Sequence, residues 1–151
     1  MNIGLYLMMV RESETGLHKA LLKVADHHRE EPDMPETCKL LASWSEQKAC
    51  STERFINKYG GKHDRRAEKL YSEFFHGPRR GGIALLRDLH DLWLLATEAR
   101  ICWTLLLQAA QALRDKDLIE TCVQNTQQSD RQIAWLETRS KQAAPQTLIA
   151  A

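Results

Sequence analysis

One carboxylate lies in the middle of an apolar helical stripe, and this residue decides which chemistry the sequence allows. Glu14 falls between Val10 and Leu17 in a run whose apolar positions recur at steps of three and four. Burial of an unpaired carboxylate costs several kcal/mol, so Glu14 requires a metal ion or a cationic partner. Two metal ions in a helical bundle need a glutamate from each of two helices and a Glu-x-x-His pair from each of the other two.

The remaining helices supply few ligands of this kind. Glu98 has no histidine three residues further on, and Lys48 lies where the second helix would offer a ligand. Gln128 and Ser129 lie where the fourth helix would offer a carboxylate. A metal-binding alternative, with iron or manganese as the ion, therefore needs a non-standard ligand set composed of Glu14, Glu98, His28 and His90.

A cationic partner for Glu14 follows from the turn near Pro32. Two helices joined at a turn place residues about equally far from it at the same height, so Lys48 falls within about one helical turn of Glu14. We therefore predict a buried ion pair between Glu14 and Lys48 in place of a metal ion. The alternative is that both side chains extend to solvent from the edge of the stripe.

Two further groups of polar residues are candidate sites. The end of the first helix carries ligand types suited to zinc at His27, His28, Glu30 and Glu31. Adjacent histidines in a helix point to different faces, which favours exposed helix-end residues instead. Arg79 and Arg80 lie between glycines and form a basic loop that is a candidate site for phosphate or another anion, with solvated loop charge as the alternative.

Four long helices must position these residues. The apolar periodicity predicts helices over about 4–29, 34–59, 83–113 and 118–141, a short connector helix over about 65–75 and a tail over 143–151. Asp33 and Glu36 predict a capping box for the second helix, and Asp117 and Glu120 predict one for the fourth. The expected inward stripe of the fourth helix consists of Ile119, Cys122, Thr126, Ser129, Ile133 and Leu136.

A single all-α domain is expected from 151 residues that include only seven glycines and four prolines. The connector between the second and third helices is long enough to return along the bundle, which predicts two helical hairpins joined by a crossover. Simple up-down-up-down connectivity is the alternative.

The sequence from Glu14 to Ala25 resembles the first helix of the stress-associated bacterial branch of the ferritin-like superfamily, and the segment from Phe55 to Gly60 is similar to the end of its second helix. The resemblance implies a ferritin-like four-helix bundle in which Glu14 matches a metal-binding glutamate. The places of the family's other ligands are taken in this chain by Cys38, Leu41, Ala96, Ala99, Gln128 and Ser129. The resemblance thus implies the scaffold without the di-metal ligand set.

Charge and composition exclude several classes of function. Because 21 Lys and Arg residues balance 20 Asp and Glu residues, no overall field attracts nucleic acid or an anionic membrane. The apolar first residues lack a basic segment and a cleavage site, and four widely spaced cysteines indicate free thiols in the cytoplasm. No serine or cysteine has a base at a spacing typical of a nucleophile, which argues against an enzyme.

More apolar residues are present than four packed helices need to bury. The surplus lies in the third helix and at the start of the first, at Leu86, Trp93, Leu94, Ile101, Cys102, Leu105 and Leu107 and at Leu5, Tyr6, Met8 and Met9. Such a surplus predicts an apolar surface for another protein chain. The main hypothesis is a non-catalytic bundle without a cofactor that acts through protein contacts, as a homodimer or an accessory subunit. A third hypothesis is a small apolar ligand near Trp44, Trp93 and Trp103.

Overall fold

The computed structural model describes residues 1–60 and 75–150, and this part of the chain is helical without strands. It contains the helices α1 (Ile3–His27), α2 (Met34–Ser51), α3 (Glu53–Tyr59), α4 (Ala84–Leu113) and α5 (Lys116–Pro145), followed by one π-helical turn over Gln146–Ala150. Together α2 and α3 run along α1 as one interrupted rod. The described residues therefore form an all-α bundle of four rods, which confirms the predicted class of fold.

Two core clusters give the direction of each rod. One cluster joins the start of α1 to α3, the end of α4 and the start of α5, through side chains that include Leu7, Ile56, Leu106 and Leu118. The other joins the end of α1 to the starts of α2 and α4 and the end of α5, through side chains that include Val24, Met34, Leu89 and Leu136. Neighbouring rods are therefore antiparallel, whereas α2 and α4 run in the same direction.

The described residues on either side of the connection between the second and third rods lie at opposite ends of the bundle. Gly60 lies beside Gly4, at the end of the bundle where α1 begins. Phe75 is buried in the cluster at the opposite end, close to where α4 begins. The two ends of this connection are thus a bundle length apart, as expected for a crossover and not for up-down-up-down connectivity. The connector helix predicted over about 65–75 falls almost entirely on residues outside the described part of the chain.

Two glycines allow the start of α1 to approach the end of α3. A Cβ atom added to Gly4 would lie 2.9 Å from Gly60 Cα and 3.1 Å from Tyr59 O. Both neighbours are backbone atoms, and their displacement costs more free energy than the movement of a flexible side chain. The absence of a side chain at position 4 therefore sets how closely the two rods pack at this end.

The second rod is interrupted at Thr52, where the sequence predicted a continuous helix over 34–59. The Thr52 N–H and hydroxyl both donate to Ala49 O, which closes a turn tighter than that of an α-helix. The Ser51 hydroxyl donates in the same way to Lys48 O. These local bonds compete with the helical ladder, and apolar periodicity does not reveal them.

Both predicted capping boxes are wrong. Asp33 has a positive φ of 64° and makes no side-chain cap bond at the start of α2; its carboxylate instead accepts a hydrogen bond from Arg139. The cap of α5 is Asp115, which accepts a hydrogen bond from the Leu118 N–H, so this helix begins two residues before the predicted start.

The predicted tail is also wrong, because α5 continues to Pro145 and the π-helical turn reaches Ala150. None of the helices in the described ranges is long and apolar enough to cross a membrane.

Candidate functional site

A fully buried ion pair lies at mid-height in the bundle. Glu14 on α1 and Lys48 on α2 have no solvent-exposed side-chain surface, and the Lys48 Nζ atom lies 3.1 Å from Glu14 Oε2. The two residues face each other because α1 and α2 are antiparallel about the turn near Pro32. The structure therefore places together the pair that the sequence positions level with one another.

The Lys48 ammonium has an acceptor for each of its three protons. Besides Glu14, it donates to Ser129 Oγ at 2.8 Å and to Gln132 Oε1 at 2.7 Å. Gln132 in turn donates through its amide nitrogen to Ser45 Oγ and to Leu41 O. Because an ammonium group is a donor only, this network fixes which end of the Gln132 amide faces Lys48. All donors of the buried cation are satisfied.

The carboxylate is less completely satisfied than the ammonium. Trp103 Nε1 on α4 donates to Glu14 Oε2 at 2.7 Å, so this oxygen receives both the indole and the ammonium. The second oxygen, Oε1, is buried and has no hydrogen-bond partner within the described part of the chain. With Trp103 included, all four rods contribute to one buried polar layer.

The inward face of α5 is rotated from the predicted stripe, and this rotation brings acceptors to Lys48. The buried positions are Leu118, Thr121, Cys122, Asn125, Ser129, Gln132, Leu136, Arg139 and Ala143. The expected inward residues Ile119, Thr126 and Ile133 are only half-buried. Apolar periodicity does not include Asn125 and Gln132, because both are polar. Their spacing of three and four residues from Cys122, Ser129 and Leu136 nevertheless marks this face.

Burial and the Glu14 carboxylate act in opposite directions on the pKa of Lys48. Burial has the larger effect and lowers this pKa, while the Glu14 carboxylate opposes the shift by attraction and by a hydrogen bond. The protonated ammonium has no lone pair to offer a metal ion or an electrophile, and each of its three protons has an acceptor nearby. The arrangement neutralises a buried carboxylate and ties α1, α2, α4 and α5 together.

The alternative metal ligands are not brought together. Glu14 and His28 are fourteen residues apart on one helix, which corresponds to about 21 Å of axial rise. His90 is exposed on α4, in a groove with Arg87 and Trp93. Glu98 is half-buried beside Tyr6 and Cys102, and burial raises its pKa. The set Glu14, Glu98, His28 and His90 is therefore wrong as one site, because helical rise separates its members.

A different group of ligand types converges where α1 ends. His28 Nε2 lies 2.7 Å from Asp88 Oδ2, and the His27 and His28 rings meet edge to face with centroids 4.8 Å apart. Within residues 1–60 and 75–150, these three side chains form the one group of at least three potential metal ligands whose ligand atoms all lie within 4.8 Å of one another. Asp88 was not among the sequence candidates, because it is sixty residues from His28.

The predicted anion loop is largely neutralised by its own neighbours. The Arg79 guanidinium donates to Asp91 at 3.1 and 3.3 Å, and the Arg79 N–H donates to Asp88 Oδ1 at 2.8 Å. Arg80 is exposed. The expectation of an anion site at Arg79 and Arg80 is therefore wrong for Arg79, whose guanidinium already faces a carboxylate.

An apolar groove runs between the start of α1 and the second half of α4. It has a volume of about 590 Å³ and is lined by Met1, Asn2, Ile3, Leu5, Tyr6, Met9, Leu105, Leu106, Ala109, Ala112 and Leu113. Leu105 is 51% exposed, and Ile101, one turn earlier on α4, is 46% exposed. Four of the eleven surplus apolar residues, Leu5, Tyr6, Met9 and Leu105, thus line one groove. Leu86 and Trp93 line a different groove, and Met8 and Cys102 are buried.

The three tryptophans of the apolar-ligand hypothesis lie in two different parts of the bundle, and two of the cysteines are buried thiols. Trp103 is fully buried on Glu14, whereas Trp44 and Trp93 pack against the core cluster at the other end of the bundle. Burial raises the pKa of the Cys38 and Cys122 thiols to about 12, so neither is a thiolate at neutral pH.

Comparison of the chain with protein-family models, with curated proteins and with solved structures gave no match in any of the three. The class that the fold defines is therefore an all-α four-helix bundle with a buried ionic centre.

Proposed function

We propose that this chain is a ferritin-like bundle whose centre is held by an ion pair in place of metal ions, and that it works through contact with protein and not through catalysis. The main support for this proposal is that the Lys48 ammonium is fully buried at mid-height in the bundle. There it contacts Glu14, Ser129 and Gln132. The resemblance of the sequence to the ferritin-like superfamily and the crossover connection support the family assignment.

The residues at this centre do not fit a di-metal cofactor. Metal ions of that type need carboxylate and imidazole ligands from all four rods. Here α2 contributes an ammonium, α5 contributes a hydroxyl and an amide, and α4 contributes an indole N–H that donates to Glu14. An ammonium at this position repels a divalent cation, and Glu14 alone is a suitable ligand.

The apolar groove supports a role in protein contact, and its shape favours a second copy of the chain. Leu105 lines the groove that α1 and α4 form between them, and Ile101 is exposed one turn earlier on α4. An exposed apolar side chain thus adjoins an apolar groove on one surface, which suits a self-complementary two-fold contact. The formal net charge of +1 opposes such self-association only weakly.

Metal analysis of the purified chain tests the centre. After growth in medium replete with iron and manganese, we expect either metal at well below one ion per chain. One iron or manganese ion per chain that is lost in the Glu14→Gln variant would overturn the proposal. Dependence on Glu14 is the deciding readout, because an ion bound elsewhere on the surface does not respond to that substitution.

Light scattering combined with gel filtration tests the contact surface. We expect a dimer of the wild-type chain and a monomer of the Leu105→Glu variant, because a carboxylate in an apolar contact loses its hydration without gaining a partner. Leu40 is exposed on α2, which does not line the groove. The variant Leu40→Glu is therefore a matched control and should remain dimeric. A wild-type monomer, or equal behaviour of the two variants, would contradict the assignment of this groove.

A further inference from the structure

We propose that His27, His28 and Asp88 form a binding site for one divalent transition-metal ion of the Zn²⁺ type, where α1 ends and α4 begins. This site is separate from the ionic centre, because it lies a dozen or more residues along the chain from Glu14. It is formed by the convergence of three ligand atoms from two helices that are distant in sequence.

The distances between the ligand atoms are close to those of a zinc site. Zinc bonds of about 2.0–2.1 Å in tetrahedral geometry place neighbouring ligand atoms about 3.4 Å apart. The His28 and Asp88 ligand atoms are at 2.7 Å, and no pair in the group exceeds 4.8 Å. Binding would therefore lengthen the His28–Asp88 contact by about 0.7 Å and shorten any longer contact by at most about 1.4 Å, which side-chain rotation supplies. The ion would take the place of the hydrogen bond that now joins His28 Nε2 to Asp88 Oδ2.

The end of α1 explains how two adjacent histidines converge. In a continuing helix they would point about 100° apart. His27 is the last residue of α1, and His28 has left helical geometry with φ −110° and ψ 36°. The change of backbone direction turns the His28 ring towards the His27 ring, and the two meet edge to face. Adjacent histidines therefore need not face apart at this helix end.

A hydrogen bond to one oxygen fixes the orientation of the Asp88 carboxylate, as is usual for carboxylates that bind metal ions. It is fully buried on α4, and its Oδ1 atom accepts the Arg79 backbone N–H at 2.8 Å. The other oxygen, Oδ2, faces His28. An outer hydrogen bond of this kind fixes the orientation of the ligand and is a regular part of metal sites. The Arg79 guanidinium is turned to Asp91, which offsets its repulsion of a cation.

Two imidazoles and one carboxylate select the class of ion. This donor set suits zinc and its neighbours in the first transition series better than magnesium or calcium, which prefer oxygen ligands. Three protein ligands leave the fourth tetrahedral position to water. Because His27 is exposed and the His28 side chain is 10% exposed, solvent and an incoming ion can reach the group.

Competition between the metal-free, tag-free full chain and a chromophoric zinc chelator tests this site. We expect one Zn²⁺ per wild-type chain. The His27→Ala variant should bind at least about tenfold more weakly, in line with the effect of disturbing a ligand shell. His90→Ala is the matched control, since His90 is exposed on α4 and lies two residues, about 200° around the helix, from Asp88. It should bind like the wild type.

Two results would overturn the proposal: no Zn²⁺ bound by the wild-type chain at micromolar concentration, or equal affinities for the wild type and His27→Ala. His27 is the sharper position for the test because it is exposed, so its loss should leave the fold intact. Substitution with Co²⁺ gives a second readout. The wild-type chain should show the visible absorption of a four-coordinate ion, and His27→Ala should lose or shift that band.

Discussion

The centre of the bundle and the cluster at the end of α1 contain similar chemical groups but differ in how far solvent can reach them. Each places a fully buried carboxylate, Glu14 or Asp88, against a nitrogen group from another helix. In the centre, the Lys48 ammonium is enclosed, and all three of its protons have acceptors. At the helix end, the His28 ring is partly accessible and the neighbouring His27 is exposed.

This difference shows why one buried carboxylate only stabilises the fold, whereas the other can bind a second cation. A lysine has no lone pair while protonated, so an enclosed and saturated ammonium can only hold the helices together. A histidine keeps a lone pair when neutral, and a solvent path lets another cation compete for the carboxylate. The chemistry of the partner and its access to solvent matter more than the burial of the carboxylate itself.

Breaking the central pair should have the largest effect. Lys48→Met leaves the Glu14 carboxylate buried without a cation, and we expect a loss of about 3–5 kcal/mol in the free energy of unfolding, measured by urea denaturation. The double variant Glu14→Leu/Lys48→Met removes both charges and should recover most of that loss. A double variant as unstable as Lys48→Met would show that the cost arises from lost packing and from Trp103, Ser129 and Gln132 groups left without partners, and not from the unpaired charge.

The corresponding change at the helix end should cost less. Asp88→Asn removes the charge that holds His28 but leaves an oxygen for the Arg79 N–H, so we expect a loss of about 2 kcal/mol, within the range of hydrogen bonds to charged groups. Asp91→Asn, which weakens a partly exposed pair with Arg79, is the control and should cost below about 1 kcal/mol. Equal losses for the two variants would contradict a special role of the buried Asp88.

A third carboxylate, at the other end of the bundle, should show the smallest effect and a distinct pH dependence. Asp115 caps α5 and accepts hydrogen bonds from the Tyr59 hydroxyl and from Lys58. These bonds, that of Tyr59 first, lower the pKa of Asp115 from 3.8 to about 2. Asp115→Ala should cost about 1 kcal/mol at neutral pH through loss of the cap.

The sign of the pH effect follows from the lowered pKa of Asp115. Its charged form stabilises the folded state above about pH 4, and this contribution is lost as the pH falls from about 4 to about 2. The difference in free energy of unfolding between the wild type and Asp115→Asn should therefore shrink over that interval. A difference that stays constant down to pH 2 would show that the Tyr59 and Lys58 contacts do not depend on the charge.

The positions of Glu14 and Lys48 could be predicted because they depend only on the local regularity of two helices joined by a turn. A helical stripe identifies the inward face of α1, and equal distances from one turn set the height of residues on α2. The acceptors of Lys48 could not be obtained in this way. Ser129 and Gln132 belong to a different hairpin, and the rotation of α5 that presents them depends on polar residues within its buried face.

By itself, the sequence determined the class of fold, the helical rods and the one carboxylate that must be buried, because periodicity and the cost of burying charge are local properties. Only the tertiary structure decided which groups meet Glu14 and which meet His28. Those contacts join residues 34 to 89 positions apart, and the relative rotation and height of packed helices set them. Such rotations result from the packing of the whole core, which no single segment contains.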